Sequence, residues 1–281
     1  MNQSVVVGVD PSEPNLAAVD WAAEEASRRR AELRLLHARS GGAEAAEAQL
    51  LDREWTRVAT RYAEVTVAAE LVDGAPREVL TEAAADAALL VVGARGSGGF
   101  PRLLLGSTSL HVAAHAPCPV AVVHAPQAAT DPTAADPAAT DPAVVVGVEG
   151  KEHEEPVLGY AFLAARRQSS PLFVVHAWTY PLLLGPGHEI PVVYEESHVE
   201  AEHARLLSEV LASWRERFPD VSVTSSVVRS SAAKELVTAS AGRHLLVVGR
   251  HGEPRGPLGR LGSTSQAVVQ HAECPVVVVP V

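Results

Sequence analysis

The sequence predicts an α/β protein built from two copies of one unit, each a five-stranded parallel sheet flanked by helices. Three observations carry this. A glycine pattern, Gly93-x2-Gly96-x9-Gly106-Ser107, returns 156 residues later as Gly249-x2-Gly252-x9-Gly262-Ser263. The run Val5–Val9 before Asp10 returns as Val144–Val148 before Glu149, at an offset of 139. Between these landmarks, short apolar runs alternate with segments of helical periodicity, the order that right-handed βαβ crossovers require.

In the first copy, Val5–Val9 reads as a strand covered on both faces, because its apolar run is unbroken. Asp10-Pro11-Ser12 ends it, and Ser12 is placed to cap a helix from Glu13, with Pro14 in the first turn. Leu16, Val19, Ala23 and Ala26 mark its inner face. Strand two follows at Leu33–His37, then a helix over 44–62 with Leu50, Leu51, Trp55 and Val58 inward. Strand three is expected at Val65–Leu71, a short helix at Glu78–Ala85, and strand four at Leu89–Val92. The glycine loop leads to a helix from Ser107 to His115, and Pro119–Val123 is the fifth strand.

Residues 1–125 form the first domain on this reading. Residues 126–142, low in complexity and repeating Asp-Pro, form a semi-stiff linker, and 143–281 form the second domain. His37 and His176 are still 139 apart, so the 17 further residues of the second copy lie after its second strand. Thr179–Glu195 is the expected insertion, either an apolar docking patch or a cover over the domain's own core. A helix at Glu196–Arg217, a strand at Val221–Val228, a helix near Lys234–Ala241 and a strand at His244–Val248 come next. A helix from Ser263 and a strand at Val276–Val279 close the copy. Two copies on one chain imply an intramolecular pseudo-dimer, and a homodimer of the whole chain stays open.

A net charge of −11 argues against a nucleic-acid or anionic-membrane surface, so any phosphate must be held locally. No apolar run reaches the roughly 18–20 residues of a membrane span, and the N-terminus lacks the basic and apolar regions of a signal peptide. Cys118 and Cys274 are repeat equivalents rather than a disulfide framework. A cytoplasmic protein is expected. His115 with Cys118, and His271 with Cys274, fall where a helix passes into a strand and read as core rather than metal ligands. His37 and His176 read as packing or backbone-bonding residues.

Ligands of open parallel sheets sit beyond the C-terminal strand ends, where Asp10 and Gly93 both lie. Glycines at 93, 96, 98 and 99 allow backbone amides to approach phosphate oxygens, and Gly106-Ser107-Thr108 adds a helix start with two hydroxyls. A carboxylate at Asp10 suits ribose hydroxyls or an adenine amine.

These motifs, with the VVVGVD opening and the closing HAPCPVAVV and HAECPVVVV, resemble the universal stress protein family over both copies. The resemblance implies Rossmann-like (adenine nucleotide alpha hydrolase-like) domains with strand order 3-2-1-4-5. It also implies bound ATP, alone or with magnesium. Carried onto matching positions, the first site comprises Gly8, Asp10, Gly93, Ala94, Arg95, Gly96, Ser97, Gly98, Gly99, Gly106, Ser107 and Thr108, with adenine near Asp10 and the backbone around His37. The second comprises Gly147, Glu149, Gly249, Arg250, His251, Gly252, Arg255, Gly262, Ser263 and Thr264.

The second copy departs from the pattern. Glu149 replaces the aspartate, Glu253 stands where phosphate would approach, and Pro254 removes a donor, with Arg255 and Arg260 as offsetting cations. Loss of one charged hydrogen bond costs roughly 1.5–3 kcal/mol, so weaker or altered binding is expected there. The loop lacks a Walker A lysine, and no magnesium-binding acidic cluster is evident, which supports an ATP-binding regulator without efficient turnover that an unidentified protein partner reads. A slow ATPase or nucleotidyl-transfer enzyme, and a non-binding structural pseudo-dimer, are the alternatives.

Overall fold

The computed structural model describes residues 4–39, 41, 44–96, 105–125, 142–150, 154–179, 196–250 and 261–281. The linker over 126–141 and the insertion over 180–195 lie outside them, so the expectations for both rest on sequence.

The first half runs β1 (Val5–Gly8), α1 (Glu13–Arg29), β2 (Leu33–Arg39), α2 (Glu44–Arg61), β3 (Val67–Asp73), α3 (Pro76–Ala83), β4 (Leu89–Gly93), α4 (Ser107–His115) and β5 (Val120–Val123). A short 3-10 turn at Ala84–Asp86 joins α3 to β4. The second half runs β6 (Val144–Val148), α5 (Glu155–Gln168), β7 (Leu172–Trp178), α6 (Glu196–Arg217), β8 (Val223–Arg229), α7 (Ala232–Ala239), β9 (Leu245–Arg250), α8 (Ser263–His271) and β10 (Val276–Pro280).

Within each half the strands are parallel and ordered 3-2-1-4-5, as the sequence resemblance implies. The two sheets are not separate. β5 pairs antiparallel with β10, giving one ten-stranded mixed sheet, β3-β2-β1-β4-β5-β10-β9-β6-β7-β8. Val122 faces Val276, Ala121 faces Val277 and Val120 faces Val278. Since Val120 and Val276 are repeat equivalents, this register is symmetric about Ala121 and Val277. A pseudo-two-fold axis passes between them. Pairing satisfies the row of amides and carbonyls that an isolated edge strand would leave exposed.

The valine runs are buried because helices cover both faces. Val5, Val7, Val144 and Val146 pack under α1, α2, α5 and α6, whereas Val6, Val145, Leu90 and Leu246 pack under α3, α4, α7 and α8. Side chains also bridge the halves: Arg29 donates to the Tyr160 hydroxyl at 2.8 Å. Burial pushes that hydroxyl's pKa up to about 12.

Two expectations about helix faces fail, and one about a cap. Leu16 is 44% exposed and Trp55 42% exposed. The Trp55 indole lies across the outer edge of the sheet and donates to the Val67 carbonyl at 3.0 Å. Glu54 takes an inner position of α2 instead, buried and paired with Arg57. Ser12 occupies the N-cap position of α1 without a side-chain cap, because its hydroxyl bonds Asp10.

Candidate functional site

β1 lies directly beside β4, with Val5 opposite Leu89 and Val7 opposite Val91, so the segments leaving their C-terminal ends meet. After β1, Asn15 donates to the Gly8 carbonyl at 2.7 Å and fixes the turn into α1. The Ser12 amide (2.8 Å) and hydroxyl (2.5 Å) both donate to Asp10 Oδ1. The other carboxylate oxygen lies against Gly96, so closely that a Cβ at residue 96 would overlap it. Gly96 is glycine because Asp10 occupies the space a side chain would take.

The far end of the loop is stapled to β4. The Gly106 amide donates to the Ala94 carbonyl at 2.7 Å, and the buried Ser109 hydroxyl donates to the Gly93 carbonyl at 2.7 Å. These bonds hold the start of α4 beside the end of β4. Gly106 is the N-cap and has no side chain to occupy the first-turn amides, which leaves them for an anion. Ser97, Gly98 and Gly99 lie outside the described residues.

Asp10, Gly93, Arg95, Gly96, Gly106, Ser107 and Thr108 line one end of a cleft of about 600 Å³, and Gly8 and Val9 form its floor. Leu36, Leu50, Pro76 and Leu80 give the rest an apolar wall. Ala94, named as a candidate, is buried. The volume falls within the range of small-molecule and cofactor sites. Among the described residues, Arg53 and Arg95 are arginines of the lining. His37 donates from Nδ1 to the Val9 carbonyl at 2.7 Å, which bears out its backbone-bonding role. Its Nε2 lies 3.8 Å from Glu47 Oε1.

The second half repeats the frame and changes its contents. Ser265 donates to the Gly249 carbonyl at 2.7 Å, the twin of Ser109 on Gly93, and α8 starts at Ser263 and Thr264 behind an uncapped Gly262. Gly147, the twin of Gly8, packs against Leu236. Glu149 is exposed where Asp10 is half-buried. Glu154, at the position equivalent to Asn15, accepts from the Glu149 amide and from the Gly150 amide at 3.1 Å. An internal carboxylate therefore occupies the amides that follow β6.

At the other end, His176 donates from Nδ1 to the Val148 carbonyl at 3.1 Å, and its Nε2 is 3.0 Å from His203 Nδ1. The Trp178 ring stacks on His203 with centroids 5.1 Å apart. Burial, reinforced by His203, holds the His176 pKa below the ordinary imidazole value, against the Val148 carbonyl and Glu149, which raise it. Arg250, expected in the second nucleotide loop, is instead buried at the junction of the halves and donates to the Ala116 carbonyl. Its equivalent in the first half is Ala94, too short to make this reach. His251, Gly252, Glu253, Pro254, Arg255 and Arg260 lie outside the described residues.

Sequence reasoning missed Asn15, Glu47, Glu154 and His203. The repeat offsets contain the signal, since they pair Asn15 with Glu154 and Glu47 with His203. Cys118 and Cys274 are buried, and burial pushes their thiols up to about 11 and about 12. Among the described residues, no group of three or more His, Cys, Asp or Glu is placed to hold a metal ion. No described helix is long and apolar enough to cross a membrane.

The profile of the universal stress protein family matches residues 1–124 and again residues 142–280. The universal stress protein Rv2623 of Mycobacterium tuberculosis is 34% identical over 297 aligned positions, covering 98% of this chain and 95% of its own. Rv2005c of the same organism is 34% identical, covering 98% and 96%. Among solved structures, a universal stress protein from Archaeoglobus fulgidus superimposes with a TM-score of 0.70 at 16% identity. It covers 100% of this chain and 99% of its own, a likeness of fold.

Proposed function

The chain belongs to the universal stress protein family, and on that footing we propose that it is an ATP-binding regulator, a nucleotide-dependent switch without efficient turnover. The observation that carries this reading is the apposition of Asp10 and Gly96 at the mouth of a cleft into which the uncapped start of α4 opens. The cleft's two ends suit the two ends of a nucleotide. Bare amides, Ser107, Thr108 and Arg95 suit the phosphates, and the apolar wall of Leu36, Leu50 and Leu80 suits a purine. Asp10, fixed by Ser12, lies between them and accepts from hydroxyl or amine donors.

The side chains lining the cleft bind and orient rather than react. Among the described residues its lining contains no lysine, and the sequence has lysine only at 151 and 234, so the γ-phosphate lacks the lysine that a P-loop supplies. A nucleotide held this way persists, and its presence changes the surface around the loop that a partner protein meets. The second cleft, with Glu154 on its amides and His203 against His176, is the weaker binder.

Protein purified without added nucleotide and opened with acid should release ATP, and added ATP should remain largely unhydrolysed over an hour. Turnover on the order of one per second would replace the switch with an enzyme. Protein that arrives empty and ignores added ATP would leave only the structural pseudo-dimer.

A further inference from the structure

Glu47 sits in the first turns of α2 and lines the cleft along with Leu36, Leu50 and Arg53. One of its carboxylate oxygens, Oε1, faces His37 Nε2 at 3.8 Å, too far for a hydrogen bond. The other, Oε2, is buried and has no hydrogen-bond partner. A carboxylate oxygen cut off from water and left without a donor costs free energy, so such a group in a folded wall calls for an explanation.

The second half supplies a comparison within the same chain. The equivalent position there is His203, whose Nδ1 meets His176 Nε2 at 3.0 Å while its ring stacks on Trp178. That side chain is used up by its neighbours. In the first half the tryptophan is replaced by Arg39, which pairs with Glu44 and Asp73 and not with Glu47. The second copy pairs the side chain at this position. The first leaves an unmet acceptor there, lining the cleft.

We propose that Glu47 is a specificity-determining residue of the first cleft, accepting a hydrogen bond from the exocyclic 6-amino group of the bound purine. The proposal rests on the ATP reading of this cleft. Leu36 and Leu50 beside Glu47 suit the base, whereas Ser107 and Thr108 at the start of α4 suit the phosphates, with Arg53 the cation on the α2 side. The terminal torsion of a glutamate is broad, so turning an oxygen toward an arriving N–H is easy. An amine at position 6 satisfies the carboxylate. A carbonyl there sets two acceptors against each other, and a site built to meet a donor rejects such an analogue strongly.

The test compares ATP with inosine triphosphate, which differs at position 6, on the full chain by calorimetry. Wild-type protein should favour ATP by more than about tenfold. Glu47→Gln, whose amide can both donate and accept, should bind ATP several-fold more weakly and inosine triphosphate more tightly, so the ratio falls by about tenfold. Unchanged melting curves would show that the fold is retained. A proportional loss of both nucleotides, leaving the ratio intact, would overturn the proposal in favour of ribose or general packing. So would a wild type that binds both equally. Protein that binds neither would overturn the ATP reading along with it.

Discussion

The Asp10 carboxylate occupies the space in which the side chain of any residue but glycine at position 96 would begin. Two residues 86 positions apart in sequence thus share one volume, and each sets the identity of the other. The Ser12 amide and hydroxyl keep Asp10 from swinging away.

Gly96→Ala should therefore act as an indirect mutation of Asp10. The new methyl group displaces the carboxylate from the cleft mouth while β1 and β4 stay packed. ATP affinity should fall on the order of ten- to a hundredfold, the value of one charge-assisted hydrogen bond, with little change in thermal midpoint. Calorimetry beside a melting curve measures both, and retention of wild-type affinity would break the link between the two residues.

The halves should respond unequally to loss of their equivalent acids. Asp10→Ala should remove most nucleotide binding. Glu149→Ala should change it less than about threefold, because Glu149 is exposed and the amides beside it are occupied by Glu154. Equal losses, measured by titration at matched protein concentration, would contradict the inequality.

Acid should loosen the molecule. Burial, the largest cause in each case, lowers the pKa of His124, His176 and His244 below the ordinary 6.5. The unfolded chain then binds protons more readily, so the stability these groups support is complete above about pH 6.5 and declines as pH falls toward their folded values. His124 bears on the junction, since its Nε2 donates to the Val269 carbonyl of the other half. The thermal midpoint should fall between pH 7 and pH 5, and His124→Gln should flatten that slope. Identical slopes in mutant and wild type would remove His124 from the account.

Much of the fold was legible because its signals are local or repeated. Valine runs marked the strands within a residue or two, and α4 and α6 begin and end where the sequence suggested. The glycine spacing located the loop, and the duplication gave it weight. What could not be read depends on partners distant in sequence. Val120–Val123 looks the same whether its outer neighbour is solvent, a second chain or β10. Trp55 reads as core until the edge of β3 offers its carbonyl. Arg250 reads as a phosphate ligand until the other half brings Ala116 within reach. Glu47 was passed over because one acid on a helix face is ordinary, and only the cleft makes it unusual.

The antiparallel seam between β5 and β10 has a geometric result. Strands of the two halves point in opposite directions, so their C-terminal ends, and the loop frames beyond them, lie along opposite edges of the sheet. A ligand in one cleft faces away from the other. One edge carries Asp10 against Gly96, and the other carries Glu149 with Glu154 on the neighbouring amides. The duplicated chain thus presents two dissimilar edges rather than one repeated face.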